Sequence, residues 1–114
     1  MIIVIFEVFP REGERDAYLD MAAEMRPLVD AIDGFISVER FESLSTPGKI
    51  LSISTFRDEA ALDEWRRLTR HRSAQRAGRE RMFADYRIRV ASVLRDYGMK
   101  EREGAPEDSR ALHG

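Results

Sequence analysis

Ile2 to Phe9 is a nearly continuous run of β-branched and aromatic residues ended by Pro10, which predicts a first strand. From Glu12 onward the period changes. Tyr18, Met21, Ala22, Met25, Leu28, Val29 and Ile32 recur every three or four residues, the apolar stripe of a long helix. Pro27 lies inside that stripe and predicts a kink, and Asp33-Gly34 marks the stop. Alternation returns from Phe35 to Glu42, a Ser-Thr-Pro-Gly turn follows, and Lys49 to Phe56 predicts a third strand. Asp58 is the expected N-cap of a second helix that begins with Glu59, Ala60, Ala61, Leu62 and Trp65. The pattern leaves open whether Leu68 to Phe83 prolongs that helix or starts another. Tyr86 to Leu94 predicts a last strand.

The order is β-α-β-β-α-β, an α+β fold of the ferredoxin-like kind: one four-stranded antiparallel sheet with helices on one face. A single domain over residues 1–98 is expected, with the polar, aperiodic stretch 99–114 as a disordered tail.

Side chains alternate across a strand, so each strand divides into two sets. Ile2, Val4, Phe6 and Val8, Ile36 and Val38, Leu51, Ile53 and Thr55, and Tyr86, Ile88 and Val90 are nearly pure apolar sets suited to packing under helices. The complementary sets are mixed. They carry Ile3, Ile5, Phe9, Phe35, Phe41 and Phe56 together with Glu7, Ser37, Glu39, Ser52, Ser54, Arg87 and Arg89. So much apolar area on the second face predicts that a second copy covers it, making a homodimer through the sheet face with polar groups at the seam or around a pocket. Glu7 and Glu39 either pair with Arg87 and Arg89 there, or one carboxylate serves as a proton acceptor.

His71, Gln75 and Arg79 follow at four-residue intervals and form one row on a helix: a group that exchanges protons near neutrality, an amide and a cation. The row could orient a phenolic, enolic or carboxylate substrate. The alternative is that His71 caps or packs at a helix junction while its neighbours are solvated. Trp65 serves either as core or as a wall of a pocket.

The remaining features narrow the function classes. With 114 residues and no cysteine, the chain has no disulfide, thiolate metal site or cysteine nucleophile, which suits a reducing cytoplasm. Its net charge of −2, with arginine and acidic residues interspersed, argues against nucleic acid. No stretch is apolar enough for a membrane span. No metal site is expected, because His71 has no companion ligands near it in sequence and His113 lies in the tail. Glycine-rich phosphate loops and nucleophile elbows are also missing.

The strand MIIVIFEV, the block GFISVERFES with PGKILSISTFRDEAAL, the segment EWRRLTRHRSAQRAGR and the closing DYRIRVASVLRDYG together resemble the antibiotic biosynthesis monooxygenase family, whose members are dimeric α+β barrels. The resemblance implies a cofactor-independent monooxygenase acting with dioxygen on a small aromatic substrate, a phenol, quinol or anthrone, in a pocket between sheet and helices. A proton leaves the substrate and the carbanion meets dioxygen in a dry site. It further implies His71 as the first candidate base; Glu7, from the sheet-face reading above, is a second catalytic candidate. Arg79 or Arg87 would steady the anion, and Trp65, Phe56, Gln75, Ser52 and Ser54 would contact the substrate. A haem-degrading branch of the superfamily uses an Asn on strand one and a Trp–His pair. Trp65 and His71 resemble that pair at shorter separation, and Glu7 stands where the Asn would be. A non-catalytic small-ligand-binding dimer and a haem-binding protein are the alternatives.

Overall fold

The computed structural model describes the backbone of residues 1–75 and 79–113, and the side chains of residues 1–69 and 81–111. The elements run β1 (Ile2–Pro10), α1 (Arg15–Asp30), β2 (Phe35–Glu42), β3 (Ile50–Phe56), α2 (Glu59–Gln75), a 3-10 turn (Arg79–Met82), β4 (Phe83–Ser92) and α3 (Glu107–His113). The strands form one antiparallel sheet in the order β2-β3-β1-β4, the ferredoxin-like α+β arrangement. The predicted second helix therefore continues as far as Gln75, and the last strand begins three residues earlier than its pattern suggests.

Local chemistry explains the element ends. Asp58 caps α2: its Oδ1 accepts the Ala61 backbone N–H at 2.9 Å, as the sequence predicts. Gly34 ends the α1–β2 connection at φ +92°, a conformation that favours glycine, and a Cβ there would stand 2.9 Å from the Ala61 Cβ. A residue with a side chain would push α2 away from the sheet. Pro27 sits inside α1, whose helical assignment runs unbroken through it.

The pairing register settles which side chains share a face. Ile2, Val4, Phe6 and Val8 of β1 stand opposite Phe56, Ser54, Ser52 and Ile50 of β3. Two sets therefore change places relative to the sequence reading. Ile50, Ser52, Ser54 and Phe56 lie on the helical face, and Leu51, Ile53 and Thr55 lie on the open one. Alternation fixes which residues of a strand go together but not which set faces the helices. In β2 a register shift between Phe35 and Ser37 breaks the alternation, so Phe35 packs into the helix-side core while Ile36 is exposed.

The C-terminal segment departs from the expectation of a structureless tail. Arg102 gathers it: its guanidinium stacks over Tyr97 at 5.2 Å and donates to the Gly98 carbonyl at 3.2 Å and to Ser109 Oγ at 2.5 Å. Ala105 is buried, and α3 follows Pro106 with Glu107 and Asp108 in its first turn. Polar composition hides this because one planar cation, rather than an apolar stripe, organises the segment.

Candidate active site

The helical face carries two separate cores. One joins Val29 and Ile32 to Phe56, Ala61 and Leu62, with Ile2, Val4, Phe35, Trp65 and Leu68 packed against it. The other joins Val8 and Ile50 to Tyr18 and Met21 of α1, with Phe6, Leu19, Met82 and Phe83 around it. Ile50 and Phe56 hold the two ends of β3, one in each core. Between them on the same face stand Ser52 and Ser54, too small and too polar to bridge the cores.

The cross-strand rows through these serines run out to β4. Ser52 is in register with Phe6, which is in register with Ile88. Ser54 is in register with Val4, which is in register with Val90. On the β4 side the helices leave the sheet uncovered: Tyr86, Ile88 and Val90 are 56%, 53% and 51% exposed. The sequence places this set on the helical face, which is correct, but expects it buried, which it is not. β4 is an edge strand, and the helical layer does not reach across it. At one end of this face Phe6, Phe83 and Tyr86 meet edge to face, with ring centroids 5.8 to 6.0 Å apart, and Tyr18 backs Phe83 at 5.6 Å. The result is a strip of exposed apolar side chains on the β4 edge of the helical face, aromatic at one end and aliphatic at the other.

The opposite face has different chemistry. Ile3, Ile5, Phe9, Phe41, Leu51 and Ile53 share it with Glu7, Glu39, Arg87 and Arg89. Glu7 is clamped there: Lys49 Nζ lies 3.0 Å from Oε1 and Arg89 Nη1 lies 3.2 Å from Oε2. The Lys49 hydrogen bond, acting against partial desolvation and helped by Arg89, holds the Glu7 carboxyl below the usual glutamate range. Such a carboxylate is a stable anion and a weak proton acceptor.

The residues singled out from sequence therefore fall in different places. Phe56 and Trp65 come together in one core, and Ser52 and Ser54 share their face. Glu7 and Arg87 lie on the other face, directly opposite each other in register. These residues do not form a single pocket within this chain. His71 and Gln75 belong to the last turns of α2, and Arg79 opens the 3-10 turn; their side chains lie outside the described residues. Val4, Phe6, Phe83, Tyr86, Ile88 and Val90 are the apolar neighbours of these serines on the helical face, and the sequence reading does not select them as site residues. A signal for them exists: in a β-α-β-β-α-β order the last strand is an edge, and an edge strand with an unbroken apolar set invites a ligand or a partner. Among the described residues no group of three metal-ligating side chains converges.

The sequence profile for antibiotic biosynthesis monooxygenase matches residues 1–77. The chain belongs to the antibiotic biosynthesis monooxygenase family. A protein of Pyricularia oryzae named jasmonate monooxygenase is 46% identical over 93 residues, 82% of this chain and 43% of its own length. The chain thus spans less than half of that fungal relative. The solved structure of Rv0793 from Mycobacterium tuberculosis superposes with a TM-score of 0.71 at 26% identity, covering 85% of this chain and 98% of that one. A mutant of SnoaB from Streptomyces nogalater, described as a cofactor-independent oxygenase, superposes with a TM-score of 0.66 at 10% identity over 83% and 94% of the two chains. At that identity the likeness to SnoaB is one of fold. Within the monooxygenase family match lie β1, the serines of β3, Trp65, and α2 to its end.

Proposed function

We propose that this chain is a cofactor-independent monooxygenase that takes a small, ring-bearing apolar molecule with an ionisable oxygen onto its helical face. The observation that supports the reading is the split core, with Ser52 and Ser54 between its halves and the apolar Tyr86, Ile88 and Val90 exposed on the neighbouring edge of the same face. Reaction of a substrate carbanion with dioxygen asks the protein for a dry site, a base and hydrogen bonds to the substrate oxygen. The apolar strip on β4, once covered, would supply the first, and the serines the last. His71 is the proposed base: the spacing Leu68, His71, Gln75 continues the stripe with which α2 meets the sheet. Trp65 and Phe56 support the wall; Gln75 follows His71 by one helical turn on α2, whereas Arg79, expected in the same row, lies in the separate 3-10 turn. Arg87 leaves this role because its register places it on the open face. Glu7, held ionised between two cations, organises that face instead.

The open face, with Ile3, Ile5, Phe41, Leu51 and Ile53 side by side, is the proposed seam of a homodimer in the cytoplasm. The family and the names of its relatives support oxygenase chemistry, and jasmonic acid joins phenols, quinols and anthrones in the substrate panel.

Dioxygen uptake across that panel tests the reading. Uptake with at least one substrate, falling by about a hundredfold or more in His71→Ala, is expected. Full turnover by His71→Ala removes His71 as the base. A panel that consumes no dioxygen while a member raises the melting temperature turns the reading to ligand binding alone.

A further inference from the structure

We infer that Glu39 and Arg89, at opposite edges of the open face, set how two copies of this chain align: Glu39 of each copy meets Arg89 of the other, and the two-fold axis between the sheets runs along the strands. This alignment rests on the seam proposed above and deepens that proposal by naming the residues that fix it.

The register carries one row of side chains straight across the open face. Glu39 on β2 is in register with Ile53 on β3, Ile53 with Ile5 on β1, and Ile5 with Arg89 on β4. The row reads acid, aliphatic, aliphatic, base, and its ends lie on the two edge strands. Neighbouring strands are about 4.8 Å apart, so the two charges stand roughly 14 Å from each other, too far to pair within one chain. Glu39 is exposed and has no ion pair among the described residues. A shallow hollow lined by Ser37, Val38, Glu39, Phe41 and Ile53 opens beside it. Arg89 gives one nitrogen to Glu7 at 3.2 Å, yet its side chain stays 57% exposed. Arg87, two residues along on the same face, has no ion pair among the described residues and reinforces the positive edge. The other charges of this face are already engaged: Lys49 holds Glu7 at 3.0 Å, and the Asp85 carboxylate accepts the Tyr86 N–H at 2.9 Å.

A two-fold dimer brings the same patch of both copies together, so the patch must complement itself. Rotation about an axis parallel to the strands lays this row on its own reverse, with acid over base at both ends and isoleucine over isoleucine between. Rotation about an axis across the strands lays β4 over β4 instead, setting arginines against arginines and Glu39 against Glu39. Like charges at a seam cost affinity, whereas opposite ones fix register and exclude wrong pairings. Sheets stacked face to face lie about 10 Å apart with strands about 30° from aligned, a gap that an extended arginine and a glutamate bridge together.

Sedimentation of the full chain from nanomolar to micromolar concentration tests this. Glu39→Arg sets cation against cation at both ends and is expected to weaken the dimer by about tenfold or more, with added salt narrowing the gap. Glu39→Arg combined with Arg89→Glu reverses both pairs and is expected to recover most of the lost affinity. Because Arg89→Glu also disturbs the Glu7 clamp, a second measurement avoids charge reversal. The chain has no cysteine. Glu39→Cys mixed with Arg89→Cys is expected to cross-link through a bis-maleimide that spans about 10 Å, whereas Glu39→Cys by itself is not. If Glu39→Arg dimerises as tightly as the wild type, the alignment is overturned and the seam stands. The same follows if a double variant that is folded by circular dichroism pairs no better than Glu39→Arg, or if Glu39→Cys cross-links to itself rather than in the mixture. Should the double variant not fold, the cross-link decides. A wild type that stays monomeric throughout removes the seam and the alignment with it.

Discussion

The two faces of this sheet are built from similar kinds of apolar side chain, yet they serve opposite ends. The helical face is divided: two compact cores, one at each end, with serines and an uncovered edge strand between them. The open face is continuous: a band of Ile3, Ile5, Leu51, Ile53 and Phe41, bordered by the paired charges of Glu7, Lys49 and Arg89. A divided apolar surface leaves polar positions and an exposed apolar edge beside the cores. A continuous one leaves a flat area suited to another protein surface. The difference comes from a few positions, chiefly the serines of β3, rather than from overall hydrophobicity.

That contrast can be tested by perturbing each face in turn. The largest stability effect is expected from Phe56→Ala, which empties the centre of one helical-side core and should cost about 3–5 kcal/mol in urea unfolding. Ile53→Ala on the open face, half-buried in the single chain, should cost clearly less when measured at monomeric dilution. Equal losses would mean the two faces are not energetically distinct. Next, Ile5→Asp places a charge in the middle of the open band. It should convert a dimer to monomers in sedimentation at micromolar concentration while the helical face still binds its ligand. Ligand binding lost together with the dimer would show that the helical face needs the partner. A smaller effect is expected from Asp58→Ala, which removes the cap that meets the Ala61 N–H and should cost about 1 kcal/mol.

The smallest effect concerns the Glu7 clamp. Because Lys49 and Arg89 hold the Glu7 carboxyl below its ordinary range, the stabilisation it provides is complete above the unfolded-state pKa, about 4.3. It is lost as pH falls through the lower folded-state value. Glu7→Gln should therefore lower stability slightly at neutral pH and flatten the acid limb, so that its profile and that of the wild type converge as pH falls, as thermal melts across pH can show. A steeper acid limb in Glu7→Gln would contradict the ion-pair role. Because the clamp is solvent-accessible, added salt should shrink the difference.

Much of this architecture is legible along the chain. The strand of Ile2 to Phe9, the three-and-four spacing from Tyr18 to Ile32, and the Asp58 cap each rest on local rules that tertiary context does not override. The faces are harder. For β1 the pure aliphatic set does pack under the helices, but for β3 the outwardly similar set Leu51, Ile53, Thr55 turns the other way. The large residue that matters is Phe56, whose place depends on pairing with Ile2 rather than on its neighbours in sequence. The candidate site is legible only in part. The sequence reading groups Ser52, Ser54 and Phe56 with Glu7 and Arg87 on the face away from the helices, whereas the register puts the first three on the helical side with Trp65 and leaves Glu7 and Arg87 on the other. The aromatic cluster of Phe6, Phe83 and Tyr86 leaves no local pattern, because Phe6 is far along the chain from the other two.

The amino-acid order alone determined the element sequence, the ferredoxin-like class, the helix cap, and the excess of apolar surface beyond what two helices can cover, because each follows from short-range periodicity and composition. Which set of β3 faces the helices, where the two cores end, and how far the helices extend over β4 were settled only by packing. Those outcomes depend on strand register and on helix placement across the sheet, both contacts between residues dozens of positions apart, and no local pattern encodes them.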